Sequence, residues 1–242
     1  AATITTQFAG VSNVEVVSIN DGAAAVTIAA DKLSAGVTTI ILDANDDTEA
    51  SNAELEHAVT GHTSEKIILR HTTEDQANAD DSDGNNYTIT NKTDTAADSI
   101  TVELQGTGND THGSTNYFGI DGLAVNNYET VNLVSSKNVA GTVLDNELDA
   151  LTASSATSVV VTGDAEFTTT MTAAKVTSFD ASGLAAKLTL TAGSEKATYT
   201  AAQKDTTFTM GSNLTKDDTI IGGASAKDTV TATVTGLTAE TG

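Results

Sequence analysis

The run from Thr157 to Val230 constrains the fold more than any other part of the chain, because short β-type segments recur in it about every ten residues. They are Ser158–Thr162, Thr168–Met171, Val176–Asp180, Leu188–Thr191, Ala197–Thr200, Thr206–Met210, Asp218–Ile221 and Asp228–Thr231. Each is rich in Thr and β-branched or aromatic residues and is closed by Gly, Asp-Ala or Ala-Gly, too short and too regularly interrupted for a helix. Two segments per coil give roughly twenty residues per turn, with coils stacked about 4.8 Å apart. The expected fold is all-β: parallel β-solenoid modules with short helices at some corners.

Composition fits narrow stacked interiors. Of the 242 residues 38% are hydrophobic, but only 4% are aromatic and Trp is absent, so the core is built from small and β-branched side chains. Cys and Pro are both absent, which excludes disulfides, thiol catalysis and thiolate metal sites. Eleven Lys and Arg stand against 33 Asp and Glu, a net charge of −22. Such a surface repels nucleic acid and anionic membranes and attracts cations. The expectation is no nucleic-acid partner and no membrane insertion. The chain opens at Ala1, and Asp228–Val234 begins a fresh strand near its other end, which reads as a piece of a longer repeat array.

Internal similarity divides the chain into two modules, 1–98 and 99–242. Phe8–Ile19 and Leu123–Leu133 share a phrase in which Glu15 falls on Glu129. After each copy comes a polar strand, then a segment with helical spacing. Ser51 and Glu54 form a capping-box signature, Ala53–Val59 has helical periodicity and Gly61 is a plausible stop, so a helix is predicted over 52–60. Asp145–Leu151 repeats that pattern, and Ala29–Leu33 is a shorter instance. The acidic stretch 72–98, with one strand-like piece at Tyr87–Thr90, reads as an edge hairpin with an acidic loop, a disordered linker being the alternative.

The phrases Tyr128–Leu133, Val176–Ser182 and Asp218–Ala224 resemble those of bacterial surface-layer proteins of the repeats-in-toxin class, which are exported by type I secretion. The resemblance covers roughly residues 120–235. It implies a secreted, extracellular, non-enzymatic component of the cell surface that binds Ca²⁺ and assembles with copies of itself into a two-dimensional lattice. Cell-surface polysaccharide is a further partner it suggests. A repeat segment of a giant adhesin of the same export route, binding a surface or glycan, is the alternative.

Calcium has four candidate loops. The repeats-in-toxin nonapeptide binds Ca²⁺ because its glycines permit the turn while Asp carboxylates and backbone carbonyls supply hard oxygen ligands. Gln105–His112 keeps Gly106, Gly108 and Asp110, with Gln105 in place of the first glycine and His112 in place of an apolar residue. Asp218, Gly222 and Asp228 give a second near match, the aspartates spaced one residue too far apart. Asp43, Asn45, Asp46 and Asp47 follow a strand and offer converging oxygens. Asp80, Asp81 and Asp83 precede Gly84, but the EF-hand frame then puts Ala79 at position 1 and Thr90 at position 12, so that motif fails. For the two nonapeptide near matches the alternative is a degenerate solenoid turn; for the other two loops, where a looser calcium site at Asp80–Asp83 stays open, it is a solvated acidic turn.

Catalysis has little support. None of the four histidines lies in a His-Glu-x-x-His arrangement, and Gly-x-Ser-x-Gly is missing. His57 is expected on an exposed polar helix face one turn from Glu54, with His62 just beyond the helix and a zinc site there as the sharper alternative. A polysaccharide-active enzyme would need two carboxylates about 5–9.5 Å apart in an open groove, and the few aromatics argue against it.

Overall fold

A computed structural model describes residues 2–4, 12–21, 25–44, 56–71, 86–106, 111–112, 115–137, 145–173, 175–225 and 227–233. Twenty strands run through them. The first eight are β1 (Ala2–Ile4), β2 (Val16–Asp21), β3 (Val26–Ala29), β4 (Thr39–Ala44), β5 (Glu56–His62), β6 (Lys66–His71), β7 (Asn86–Asn91) and β8 (Ser99–Gly106). Then come β9 (Thr111–His112), β10 (Thr115–Asn126), β11 (Thr130–Ser136), β12 (Asp145–Thr152), β13 (Ser158–Gly163) and β14 (Glu166–Met171). The last six are β15 (Ser178–Leu184), β16 (Leu188–Thr191), β17 (Thr198–Thr200), β18 (Thr206–Gly211), β19 (Thr219–Ile221) and β20 (Thr229–Ala232).

Successive strands alternate between two sheets. The first sheet has the order β1-β3-β5-β7-β10-β12-β14-β16-β18-β20, and the second β19-β17-β15-β13-β11-β8-β6-β4-β2. Pairing along both paths is parallel; only β9 is antiparallel, against the start of β10. Each coil therefore gives one strand to each sheet, the β-solenoid expected from the repeat. Register partners Ser158, Ser178, Thr198 and Thr219 are spaced 20, 20 and 21 residues apart, matching the predicted coil length. The earlier coils are longer because they carry extended corners: Ser99 pairs with Thr130 and Thr130 with Ser158. All eight strands read from Thr157 to Val230 are present, and the ladders run on from β6 to β8 and from β7 to β10 across residues 98 and 99.

The core lies between the sheets and consists of in-register columns. In the second sheet Ile100, Val131, Val159, Phe179, Tyr199 and Ile220 succeed one another. In the first, Leu148, Thr169, Leu190 and Phe208 do the same. Period-two alternation puts these side chains inside and their Thr-rich neighbours outside. Rings are added towards the far end, with Tyr199 6.4 Å from Phe179 and 6.0 Å from Phe208, centroid to centroid.

Three local expectations are corrected. Within 52–60, residues 56–60 belong to strand β5 and not to a helix; residues 52–55 lie outside the described set. Asp145–Leu151 likewise lies in strand β12. Both segments contain a register shift, between Val59 and His62 in β5 and between Leu148 and Leu151 in β12. A bulge brings two residues three apart to the same inward face, which in a sequence looks like helical spacing. Gly61, at φ +64°, makes the bulge in β5 where a helix stop was expected. Ala30–Lys32 does form a turn of 3₁₀ helix. Tyr87–Thr90 is no edge hairpin: β7 is a central strand between β5 and β10. The rest of the acidic stretch, 72–85, lies outside the described residues.

Candidate functional site

One residue per coil stands immediately before each strand of the second sheet: Glu15, Thr38, Glu65, Asp98, Glu129, Thr157, Thr177, Ala197 and Asp218. The Glu15 carbonyl accepts the N–H groups of both Thr38 and Thr39, at 2.8 and 3.1 Å, and that of Glu129 accepts both Thr157 and Ser158, at 2.9 and 3.1 Å. The phrase shared by Phe8–Ile19 and Leu123–Leu133 thus marks the same corner of two coils. Where the residue is Thr, its hydroxyl adds a bond to the carbonyl below, as Thr38 to Glu15 at 3.2 Å and Thr177 to Thr157 at 3.3 Å. At Glu65, Asp98 and Asp218 the carboxylate gathers N–H groups of its own turn. Asp98 accepts the Thr95 N–H at 2.5 Å and its hydroxyl at 2.8 Å, and Asp218 accepts the same two groups of Thr215 at 2.7 and 2.9 Å. The sequence carried that signal as Thr-x-x-Asp-Ser/Thr at Thr95–Ser99 and Thr215–Thr219.

The described members of the calcium set occupy the following positions. Asp218 also accepts the Ala197 N–H of the preceding coil at 3.0 Å. Burial acts to raise the Asp218 pKa, but the Ala197 and Thr215 donors outweigh it and hold the carboxyl below its usual value. Asp228 accepts Thr206 N–H at 3.0 Å and Gly223 N–H at 2.7 Å, so the two aspartates serve different corners. Gly222 and Gly223 answer to steric demand. A Cβ on Gly223 would lie 1.9 Å from the Ala202 carbonyl oxygen, and one on Gly222 3.1 Å from the Asp228 carboxylate. Asp43 lies in β4 with Arg70 as its register partner, and Gly106 ends β8 in a buried position. Asn45, Asp46, Asp47, Asp80, Asp81, Asp83, Gly108 and Asp110 lie outside the described residues. Among the described residues no group of three or more His, Cys, Asp or Glu side chains is placed to hold a metal ion.

The most developed polar site was not anticipated. The corner of β5–β6 and that of β10–β11 take three residues each, while the intervening corner, 92–98, takes seven and loops outward. In addition the register slips by two residues between β6 and β8 relative to β8 and β11, since Ile67 faces Val102 whereas Ile100 faces Val131. The gap becomes a cleft of about 470 Å³ floored by His62, Glu65 and Tyr128. His62 and Tyr128 meet across the looped-out coil, Nδ1 to hydroxyl at 2.5 Å, while Nε2 lies 2.6 Å from the Glu65 carbonyl. A carbonyl can only accept, so Nε2 carries the proton and the Tyr128 hydroxyl donates to Nδ1. Both side chains are 1% exposed.

Burial, only partly offset by Glu65, lowers the His62 pKa and keeps the ring neutral. Burial together with the charges of Glu65 and Asp98 pushes the Tyr128 hydroxyl well above its ordinary value. Burial would raise Glu65 too, but N–H donors from Thr63 at 3.0 Å and Ser64 at 3.1 Å prevail and lower it. Every polar atom of the His62 ring is used within the protein, which makes the cluster a plug for the gap. His57 is also interior, stacked on Tyr87 at 5.1 Å, and so is not on the exposed helix face expected for it. Neither family profiles, nor curated proteins, nor solved structures match the chain.

Proposed function

We propose that the chain is a structural module of a secreted bacterial surface layer of the repeats-in-toxin type, assembling with copies of itself in a Ca²⁺-dependent lattice outside the cell. The carrying observation is the parallel, coil-by-coil stacking of strands in both sheets. The strands at one end, β1 and β2, point the same way as those at the other, β20 and β19, so addition of another coil is a simple translation along the stack. No helix among the described residues is long and apolar enough to cross a membrane. The charge of −22 supplies the demand for cations, and the acidic segments of the sequence at 45–47, 80–83 and 108–110 are the places proposed for them.

The role is that of a scaffold and not of an enzyme; an adhesin repeat binding a surface or glycan is the second reading. Calorimetric titration with Ca²⁺, followed by electron microscopy, tests the proposal. Binding followed by sheets or filaments that chelator dissolves supports it. Assembly indifferent to chelation removes the calcium requirement, and monomers that bind a glycan support the adhesin.

A further inference from the structure

The outward face of the first sheet carries a pattern that neither scaffolding nor the acidic surface requires. In β14, β16, β18 and β20 the outward positions read Thr168 and Thr170, Thr189 and Thr191, Thr207 and Thr209, Thr229 and Thr231. The ladders put them in strict succession: Thr168 faces Thr189, Thr189 faces Thr207 and Thr207 faces Thr229, and the second member of each pair follows the same course. Eight hydroxyls and eight methyls thus form two parallel columns, repeating about 4.8 Å from coil to coil and about 6.6 Å across the strand. Threonine is stiff about χ1, so the array is fixed before anything binds. Glu166, at the start of β14, pairs with Lys187 at 2.9 Å and marks the border; no charged side chain stands between the columns.

Strand propensity alone does not produce this face. The second sheet of the same coils obeys the same propensity, yet its outward positions mix Ser158, Val160, Asp180 and Ile221 with threonine. In a chain of net charge −22, an uncharged array suits an uncharged ligand that repeats in two dimensions. Flat crystalline polysaccharide would call for aromatic platforms, and the rings of these coils, Phe167, Phe179, Tyr199 and Phe208, are all buried inside. Ordered water needs no such platform: hydroxyls hydrogen-bond it, methyls restrict its orientation, and a rigid lattice lowers the entropy cost of holding it. We infer that this threonine face binds the surface of ice.

The test uses the whole chain in slowly grown ice, with thermal hysteresis and recrystallisation measured in parallel. The protein is expected to enter the ice above the level of an inert solute and to slow recrystallisation. Thr189→Tyr and Thr207→Tyr, which break the surface at outward-facing positions, should lower partitioning by about tenfold, the equivalent of about 1.4 kcal/mol. Val160→Tyr on the other sheet should leave it unchanged. Circular dichroism and melting of each variant separate loss of the face from loss of the fold. Exclusion of the unaltered protein from ice, or equal losses from the two sheets, overturns the inference, as does threonine-dependent binding to insoluble polysaccharide without binding to ice.

Discussion

Replacing Gly163 by alanine tests the coil packing most directly. Gly163 ends β13 at φ +123°, a conformation that L side chains rarely adopt. A Cβ there would lie 1.9 Å from the carbonyl oxygen of Ser135 and 2.7 Å from its carbonyl carbon. The clash is with backbone, and that backbone is pinned: the Ser135 carbonyl accepts Asp164 and Ala165 N–H at 2.9 and 3.2 Å, while its hydroxyl donates to the Ala165 carbonyl at 3.0 Å. Backbone strain costs about 1–3 kcal/mol and forced overpacking about 1–3 kcal/mol. Restricting the unfolded chain returns only about 0.4–1 kcal/mol, so Gly163→Ala should destabilise by about 1–5.5 kcal/mol. Gly211→Ala separates the terms. Its φ is +53° but its Cβ would meet nothing within 4 Å, so strain alone should cost about 1 kcal/mol. Urea unfolding followed by far-ultraviolet circular dichroism measures both, with hydrogen exchange showing whether the loss is confined to neighbouring coils. A Gly163→Ala protein as stable as the parent, or no less stable than Gly211→Ala, would refute the close approach between coils.

Three further outcomes follow from the same structure. The His62 ring has a lowered pKa when folded and titrates near 6.5 when unfolded, so the unfolded chain binds the extra proton first. Its contribution to stability is therefore complete above that pH and declines as pH falls from about 6.5 through the folded value; lowered Glu65 extends the loss below about 4.5. Denaturation curves of the parent and of His62→Leu between pH 7 and pH 5 should show a smaller slope in the variant. Tyr128→Phe leaves His62 Nδ1 without its donor and should cost about 1–3 kcal/mol at neutral pH, read in the same assay. Phe208→Ala, at a fully buried position between Leu190 and Val230, should cost about 3–5 kcal/mol. A loss below 1 kcal/mol there would mean that the last coils are not packed as described.

The sequence by itself determined the architecture. Thr-x-Val and Thr-x-Phe alternation at a ten-residue beat can bury one face only by stacking, and small side chains make that stack narrow. It also displayed the corner phrase at Glu15 and Glu129, because corners repeat with the coils. What only the tertiary structure decided were features that depend on neighbours in the stack. A bulge in β5 and another in β12 produced spacing that, in one dimension, is indistinguishable from a helix, and the ladders on either side resolved it. The inward turn of His57 and His62, the cleft at the slipped register and the reach of Asp218 back to Ala197 likewise arise between coils, from residues 21 to 66 apart in the chain. The alignment of eight threonines into two columns belongs to the same class: each Thr-x-Thr is visible in the string, but only the register makes them one surface.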